Sequence, residues 1–104
     1  MSLEGNGQPV IYRVSISDNN RVFIKNAYKR FSDKGNGKLF RELLTQAYYR
    51  LRNDPLIFGE ALWLLPVAQL FVRYALIGQL GLVYGVHEET KTVFIRAMYL
   101  LPSP

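Results

Sequence analysis

Residues 70–101 have the sequence LFVRYALI-GQ-LGLVYGV-HEETK-TVFIRAMYLL, which is typical of a β-meander. Val, Ile, Leu and Tyr dominate three runs, and branched and aromatic side chains fit the pleated, half-buried surface of a strand. The links Gly78-Gln79 and His87–Thr90 are short enough for antiparallel hairpins. We therefore predict strands over Leu70–Ile77, Leu80–Val86 and Thr92–Leu101.

Toward the N-terminus the hydrophobic period changes. Val10–Ser17 alternates apolar and polar residues, which predicts a half-buried strand. Ser17 or Asp18 can cap a helix over residues 18–31, because a short side-chain oxygen accepts a free backbone N–H at a helix start. A glycine-containing turn interrupts the helical pattern, and a second amphipathic helix is predicted over residues 38–53.

These elements predict an α+β fold of order β-α-α-β-β-β(-β), with a two-helix hairpin packed on one face of an antiparallel sheet of four or five strands. The optional strand lies around Leu62–Leu65. A chain of 104 residues is long enough for one domain, which we assign to residues 10–101. Residues 1–9 are predicted to be a disordered or expression-derived lead, and residues 102–104 a tail.

The composition excludes several classes of site. There is no cysteine, and His87 is the single histidine, so we expect no disulfide, no zinc site, no thiol nucleophile and no cofactor. The net charge of +5 favours an acidic partner such as nucleic acid. A plain soluble basic domain is the alternative interpretation of the same charge.

The apolar region 61–86 raises the question of a membrane span. Arg73 divides it into two stretches, each shorter than the ~20 residues that a spanning helix needs. The N-terminal residues are polar and lack the apolar core of a signal peptide. We therefore expect no membrane partner and a cytoplasmic location.

Two short motifs resemble metal or phosphate sites but lack the required residues. In the glycine turn, Lys34 and Leu43 occupy positions where a calcium loop needs oxygen ligands, and Leu39 follows Lys38 where a P-loop needs Ser or Thr. His87-Glu88 has Lys91 where a zinc protease needs its second histidine. We predict no metal site.

Three arginines, Arg13, Arg73 and Arg96, lie inside predicted strands. An arginine buried without a partner beneath the helices would cost several kcal/mol, so we expect all three on the face that the helices leave open. There they could bind phosphate through bidentate hydrogen bonds. The alternative is a solvated sheet face, or salt bridges to Glu60 or Glu88.

Both predicted helices and the turn between them carry many cations. They have few acids among them, so they could bind nucleic acid, and a solvated helix face is the alternative. Tyr48 and Tyr49 could stack on bases or pack at a helix edge. The cations are Arg21, Lys25, Lys29, Arg30, Lys34, Lys38 and Arg41.

Three stretches of the chain resemble the RelE/ParE superfamily of small bacterial toxins, also called plasmid-stabilisation proteins. They are Tyr12–Ile16 as the first strand, Leu51–Pro55 with Gly59 soon after as the end of the second helix, and Leu82–Glu89 with Thr92–Ile95 as the closing hairpin. The resemblance covers about residues 10–101. It implies the fold more specifically than the activity, because the shared patterns are mostly structural.

The resemblance implies one of two activities. RelE-like members cut messenger RNA on the ribosome without a metal, and ParE-like members poison DNA gyrase. By position, Arg73 and Arg96 would be the phosphate-binding residues of a nuclease, and Tyr99 would transfer the proton. Arg13, Lys25, Lys29, Lys38 and Arg41 would bind nucleic acid. The family also implies an antitoxin partner that wraps the toxin, and a homodimer is a further expectation.

The chain departs from the nuclease pattern. The family often has Gly-x-Tyr-Arg before Val-x-Tyr, whereas Gly78–Leu82 contains no arginine. We therefore lean toward a protein that binds without catalysis; an active form would be a metal-independent, ribosome-dependent endoribonuclease. The alternative is a RelE-like binding or regulatory domain without toxin activity.

Overall fold

A computed structural model describes residues 11–102. The predicted lead (residues 1–9), Val10 of the predicted first strand and the last two residues of the predicted tail lie outside this range. The elements in chain order are β1 (Arg13–Ser15), α1 (Asp18–Asp33), α2 (Gly37–Asn53), α3 (Pro55–Phe58), β2 (Glu60–Leu65), β3 (Leu70–Ile77), β4 (Leu80–His87) and β5 (Thr92–Leu100).

The α+β class and the predicted meander are confirmed. β3, β4 and β5 pair antiparallel, and the optional strand exists as β2, which pairs antiparallel with β3. The helix hairpin also forms. The side chain of Ser17 caps α1 by accepting the backbone N–H of Asn20 at 3.2 Å.

The prediction of a wholly antiparallel sheet is wrong. The strand order is β1-β5-β4-β3-β2, and β1 lies parallel to β5, with Val14 opposite Val93. The two helices between β1 and the rest of the sheet carry the chain across one face, and such a crossover allows parallel pairing. The short α3, which begins at Pro55, was not predicted.

The helices cover one face of the sheet, which we call the covered face. Ala47 and Leu51 of α2 pack in one buried cluster with Leu82, Tyr84 and Val86 of β4. A smaller cluster joins Phe31 and Phe40 where the two helices meet, with ring centroids 5.1 Å apart.

No helix of residues 11–102 covers the other side of the sheet, which we call the open face. Because side chains alternate along a strand, Val83 of β4 lies on it. The register then places Tyr74 on the same face, as the partner of Val83. Further members by the same register are Arg13, Trp63, Leu76, Thr92, Phe94, Ala97 and Tyr99.

Candidate nucleic-acid interface

Arg73 lies on the covered face, which corrects the expectation that it faces the open side. It is the register partner of Tyr84, whose side chain is fully buried. Its Nη2 donates a hydrogen bond to the carbonyl oxygen of Gly59, just before β2. Arg73 is half-buried, and the backbone carbonyl of Gly59 offsets part of the cost of removing the guanidinium from water.

The surroundings of Arg73 are largely closed. Its Nε atom is buried and has no hydrogen-bond partner within residues 11–102. The hydroxyl of Tyr84 donates to the carbonyl oxygen of Pro55 at 2.7 Å. Burial raises the pKa of Tyr84, and the nearby guanidinium of Arg73 opposes part of that rise. The arginine thus joins β3 to the segment that leads from α3 into β2.

Arg96 is exposed, as expected, but it does not lie beside Arg73. The pairing of β4 with β5 shifts between Val83 and Tyr84, so that Val83 faces Ala97 and Tyr84 faces Ile95. Arg96 is the extra residue of this β-bulge. The bulge interrupts the alternation, so that Met98 and Leu100 lie on the covered face, although Phe94 before the bulge lies on the open face.

Tyr99 lies on the open face against Tyr74. Their rings are stacked, with centroids 6.2 Å apart and planes inclined by 13°. Gly81 is the register partner of Tyr99 and makes room for its ring, because a Cβ at Gly81 would come within 2.6 Å of that ring. The interaction with the hydroxyl of Tyr74, followed by burial, raises the pKa of Tyr99.

Arg13 is exposed on the open face, as predicted. It lines a shallow groove with Arg21, at the start of α1, and with Phe94 of β5. The hydroxyl-bearing residues Thr90 and Thr92 complete the same groove. Of the three strand arginines, Arg13 is thus the one that the register places on the open face.

The predicted helical cations are carried by α1, α2 and the turn between them, and we call the set the helical basic face. All seven are exposed: Arg21, Lys25, Lys29, Arg30, Lys34, Lys38 and Arg41. Arg21, Lys25 and Lys29 are spaced four residues apart and lie along one side of α1. Arg41 of α2 lies over the ring of Tyr28, 5.8 Å from its centroid, so the cations of the two helices adjoin.

The helical basic face keeps its charge. Within the described part of the chain, the two ion pairs are Arg50–Asp54 and Lys91–Glu88, and neither includes one of its cations. Tyr49 is exposed at the far end of α2, while Tyr48 lies beneath the guanidinium of Arg52 at 5.6 Å. The face can therefore attract a polyanion along its length.

Sequence reasoning missed how apolar the open face is. Trp63, Leu76 and Phe94 are all exposed there, whereas three arginines had been expected. The error follows from the face chosen for Arg73: side chains alternate along β3, so placing Arg73 on the open face also placed Leu76 on the covered face. The face offers aromatic surfaces with few charged groups.

Two features are absent from the described residues 11–102. Across residues 11–102, no three His, Asp or Glu side chains come together as a metal ion would require. In the same part of the chain, no helix has the length and apolar character needed to cross a membrane.

No protein-family model, no curated protein and no solved structure matches the chain.

Proposed function

We propose that the chain is a RelE/ParE-like component of a bacterial type II toxin–antitoxin system, and that it acts by binding a nucleic-acid-associated target, the ribosome with its messenger RNA or DNA gyrase. The order of elements and the three sequence stretches that resemble the family support this proposal. The protein would work in the cytoplasm, and an antitoxin would hold it inactive.

One observation carries the proposal: the helical basic face is exposed and holds no ion pair among the described residues. Cations that are not neutralised by the protein itself release counterions from a nucleic acid when they bind it. A surface of this kind supplies affinity and orientation, and it does not by itself distinguish sequences.

The geometry favours binding over catalysis. Arg73 is held by Gly59, Tyr99 is stacked on Tyr74, and neither is paired with Arg96. A phosphodiester-cleaving site needs a cation and a proton-transfer group within hydrogen-bond reach of one reacting phosphate. The three residues predicted for a nuclease, Arg73, Arg96 and Tyr99, do not form such a site.

A second candidate is a RelE-like domain that kept the fold without toxin activity. The role of Arg73 in joining β3 to Gly59 favours it, because that arginine then serves the fold and not a target. The two candidates differ in what the protein does to a cell, and not in the fold.

Induced expression in a bacterium tests the proposal. We expect growth to slow, and we expect a variant with Lys25→Glu and Lys29→Glu to restore growth at an equal level of soluble protein. Arg96→Glu, a charge reversal at an exposed site outside the helical basic face, is the matched control and should stay toxic. Normal growth with abundant soluble wild-type protein would favour the silent domain.

A further inference from the structure

The edge strand β2 is exposed on both sides. Trp63 is 53% exposed and Leu64 is 48% exposed, although their side chains lie on opposite faces of the sheet. β3 is the element that β2 contacts extensively, and no helix within residues 11–102 makes a comparable contact with it. The outer edge of β2 has no strand beside it in the described sheet.

The exposed apolar residues around this edge lie on both faces of the sheet and in the turn after β2, and we call the set the β2 edge patch. Leu64 pairs with Phe71 in the register, and Val67 lies in the turn that joins the two strands. The members are Leu62, Trp63, Leu64, Val67 and Phe71, each at least 42% exposed. Together they present on the order of 500 Å² of apolar surface, against the ~800 Å² per partner of a standard interface.

The regular part of the edge, residues 63–65, contains no charged residue and no proline, although a bulge precedes it and Pro66 follows it directly. Natural edges carry lysines, prolines or covering loops, because unpaired N–H and C=O groups otherwise add a strand from another chain. Here Glu60 is the single charged residue between positions 60 and 72. A bulge interrupts β2 between Ala61 and Trp63, which leaves the regular segment 63–65 free to pair.

We propose that the β2 edges of two copies of this chain pair antiparallel about a two-fold axis, with Leu64 opposite Leu64. The two sheets then form one ten-stranded sheet. Trp63 of each copy lies opposite Leu65 of the other on the open face, so that apolar side chains meet apolar side chains.

The distribution of charge favours a second copy as the occupant. The cations of the helical basic face are on α1, α2 and the turn between them, and those helices do not pack on β2. Two copies can therefore meet at this edge without opposing their positive surfaces. A partner recognised by charge would find no lysine or arginine in the β2 edge patch.

Light scattering coupled to gel filtration, followed over a concentration series, tests the pairing. Wild-type protein should have twice the 12.0 kDa mass of the chain at ~100 µM and dissociate on dilution. Leu64→Lys places two like charges opposite each other and should weaken the dimer at least about tenfold. Leu39→Lys is the matched control, since Leu39 on α2 is 47% exposed, and it should remain dimeric.

Two further readouts fix the surface and the register. Trp63 is the only tryptophan, so its emission should shift to the red when wild-type dimers dissociate. Leu64→Lys and Leu64→Glu should each be monomeric, with an unchanged circular dichroism spectrum, and should form a mixed dimer when combined. The proposal would be overturned by a monomeric wild type, by a dimer whose Trp63 emission does not change on dilution, or by the absence of a mixed dimer. If the wild type is monomeric, the β2 edge would be available to a strand of another protein.

Discussion

The guanidinium of Arg73 donates a hydrogen bond to the carbonyl oxygen of Gly59. The family resemblance predicts that this arginine binds phosphate, whereas in the structure it anchors the residue before β2. Tyr84, opposite Arg73, is bonded to Pro55 from the same side. The segment that ends the helical half of the chain is therefore fastened to the middle of the sheet by two side chains.

Arg73→Ala should destabilise the fold. The substitution removes a bond to a carbonyl in a largely closed environment and leaves space beside Tyr84, so we expect a loss of about 2 kcal/mol in the free energy of unfolding. Urea unfolding measures it. Arg96→Ala, at an exposed bulge, should stay within about 0.5 kcal/mol of wild type. Equal small effects of the two variants would contradict the structural role of Arg73.

Gly59→Ala should be more damaging than a glycine substitution in an open turn. A Cβ at Gly59 would lie 2.3 Å from the carbonyl oxygen of Tyr74, and backbone cannot move away cheaply. We expect a loss of about 3 kcal/mol or more. Gly35→Asn is the control: Gly35 has φ of +79° with nothing near its Cβ position, and asparagine tolerates that conformation. Thermal unfolding of the two variants compares them, and similar melting temperatures would refute the close approach.

Tyr12 and Glu88 form a pH-sensitive contact between the start of the domain and the β4–β5 turn. The Tyr12 hydroxyl donates to the Glu88 carboxylate, and Lys91 Nζ lies 3.1 Å from its other oxygen. The bond from Tyr12, and then Lys91, hold the pKa of Glu88 below its ordinary 4.5. Burial, and then Glu88, raise the pKa of Tyr12 to about 12.

A lowered carboxyl pKa stabilises the fold above the ordinary value and loses that contribution as the pH falls through the folded-state value. Glu88→Gln should therefore be less stable than wild type at pH 7, and the difference should shrink as the pH falls below about 4.5. Urea unfolding at several pH values measures it, with Glu89→Gln in the same turn as the control. A gap between Glu88→Gln and wild type that stays constant with pH would contradict the assigned contact.

Binding to single-stranded RNA should depend on the helical basic face. Lys25→Ala with Lys29→Ala should weaken binding to all sequences alike and should reduce the slope of log K against log salt by about 1.4, or ~0.7 for each lost phosphate contact. Arg13→Gln with Arg96→Gln removes the same charge from the sheet. Fluorescence anisotropy over a salt series compares the two double variants. A larger loss of affinity in the Arg13→Gln, Arg96→Gln variant would show that the sheet, and not the helical basic face, binds the RNA.

The sequence predicts the local elements of this fold well, because their signals are local. Two short links set the hairpins of the meander, and Ser17 marks the start of α1. The parallel pairing of β1 with β5 is not local: Val14 and Val93 meet across two helices, and alternation in either strand carries no information about its neighbour.

The candidate site was harder to predict, for two physical reasons. The bulge at Arg96 reverses the side-chain period, and nothing in the composition of the strand marks that residue as unpaired. Arg73 lies on the covered face, where the carbonyl oxygen of Gly59 accepts a hydrogen bond from it. The sequence argument considered only an arginine buried without a partner, so it did not predict this position. The exposure of the helical cations could be predicted, since an amphipathic helix shows its solvent side through spacing, while their binding of nucleic acid stays a prediction.

The central claim is that the protein binds its target without cleaving RNA. The most direct test incubates the purified protein with ribosomes that carry messenger RNA and then examines whether the messenger is intact. We predict that the protein sediments with the ribosomes at low salt, dissociates as salt rises, and leaves the messenger intact. The same incubation with the Lys25→Ala, Lys29→Ala variant should show reduced sedimentation. Robust messenger cleavage without added metal, abolished by Arg96→Ala in a folded protein, would contradict the account.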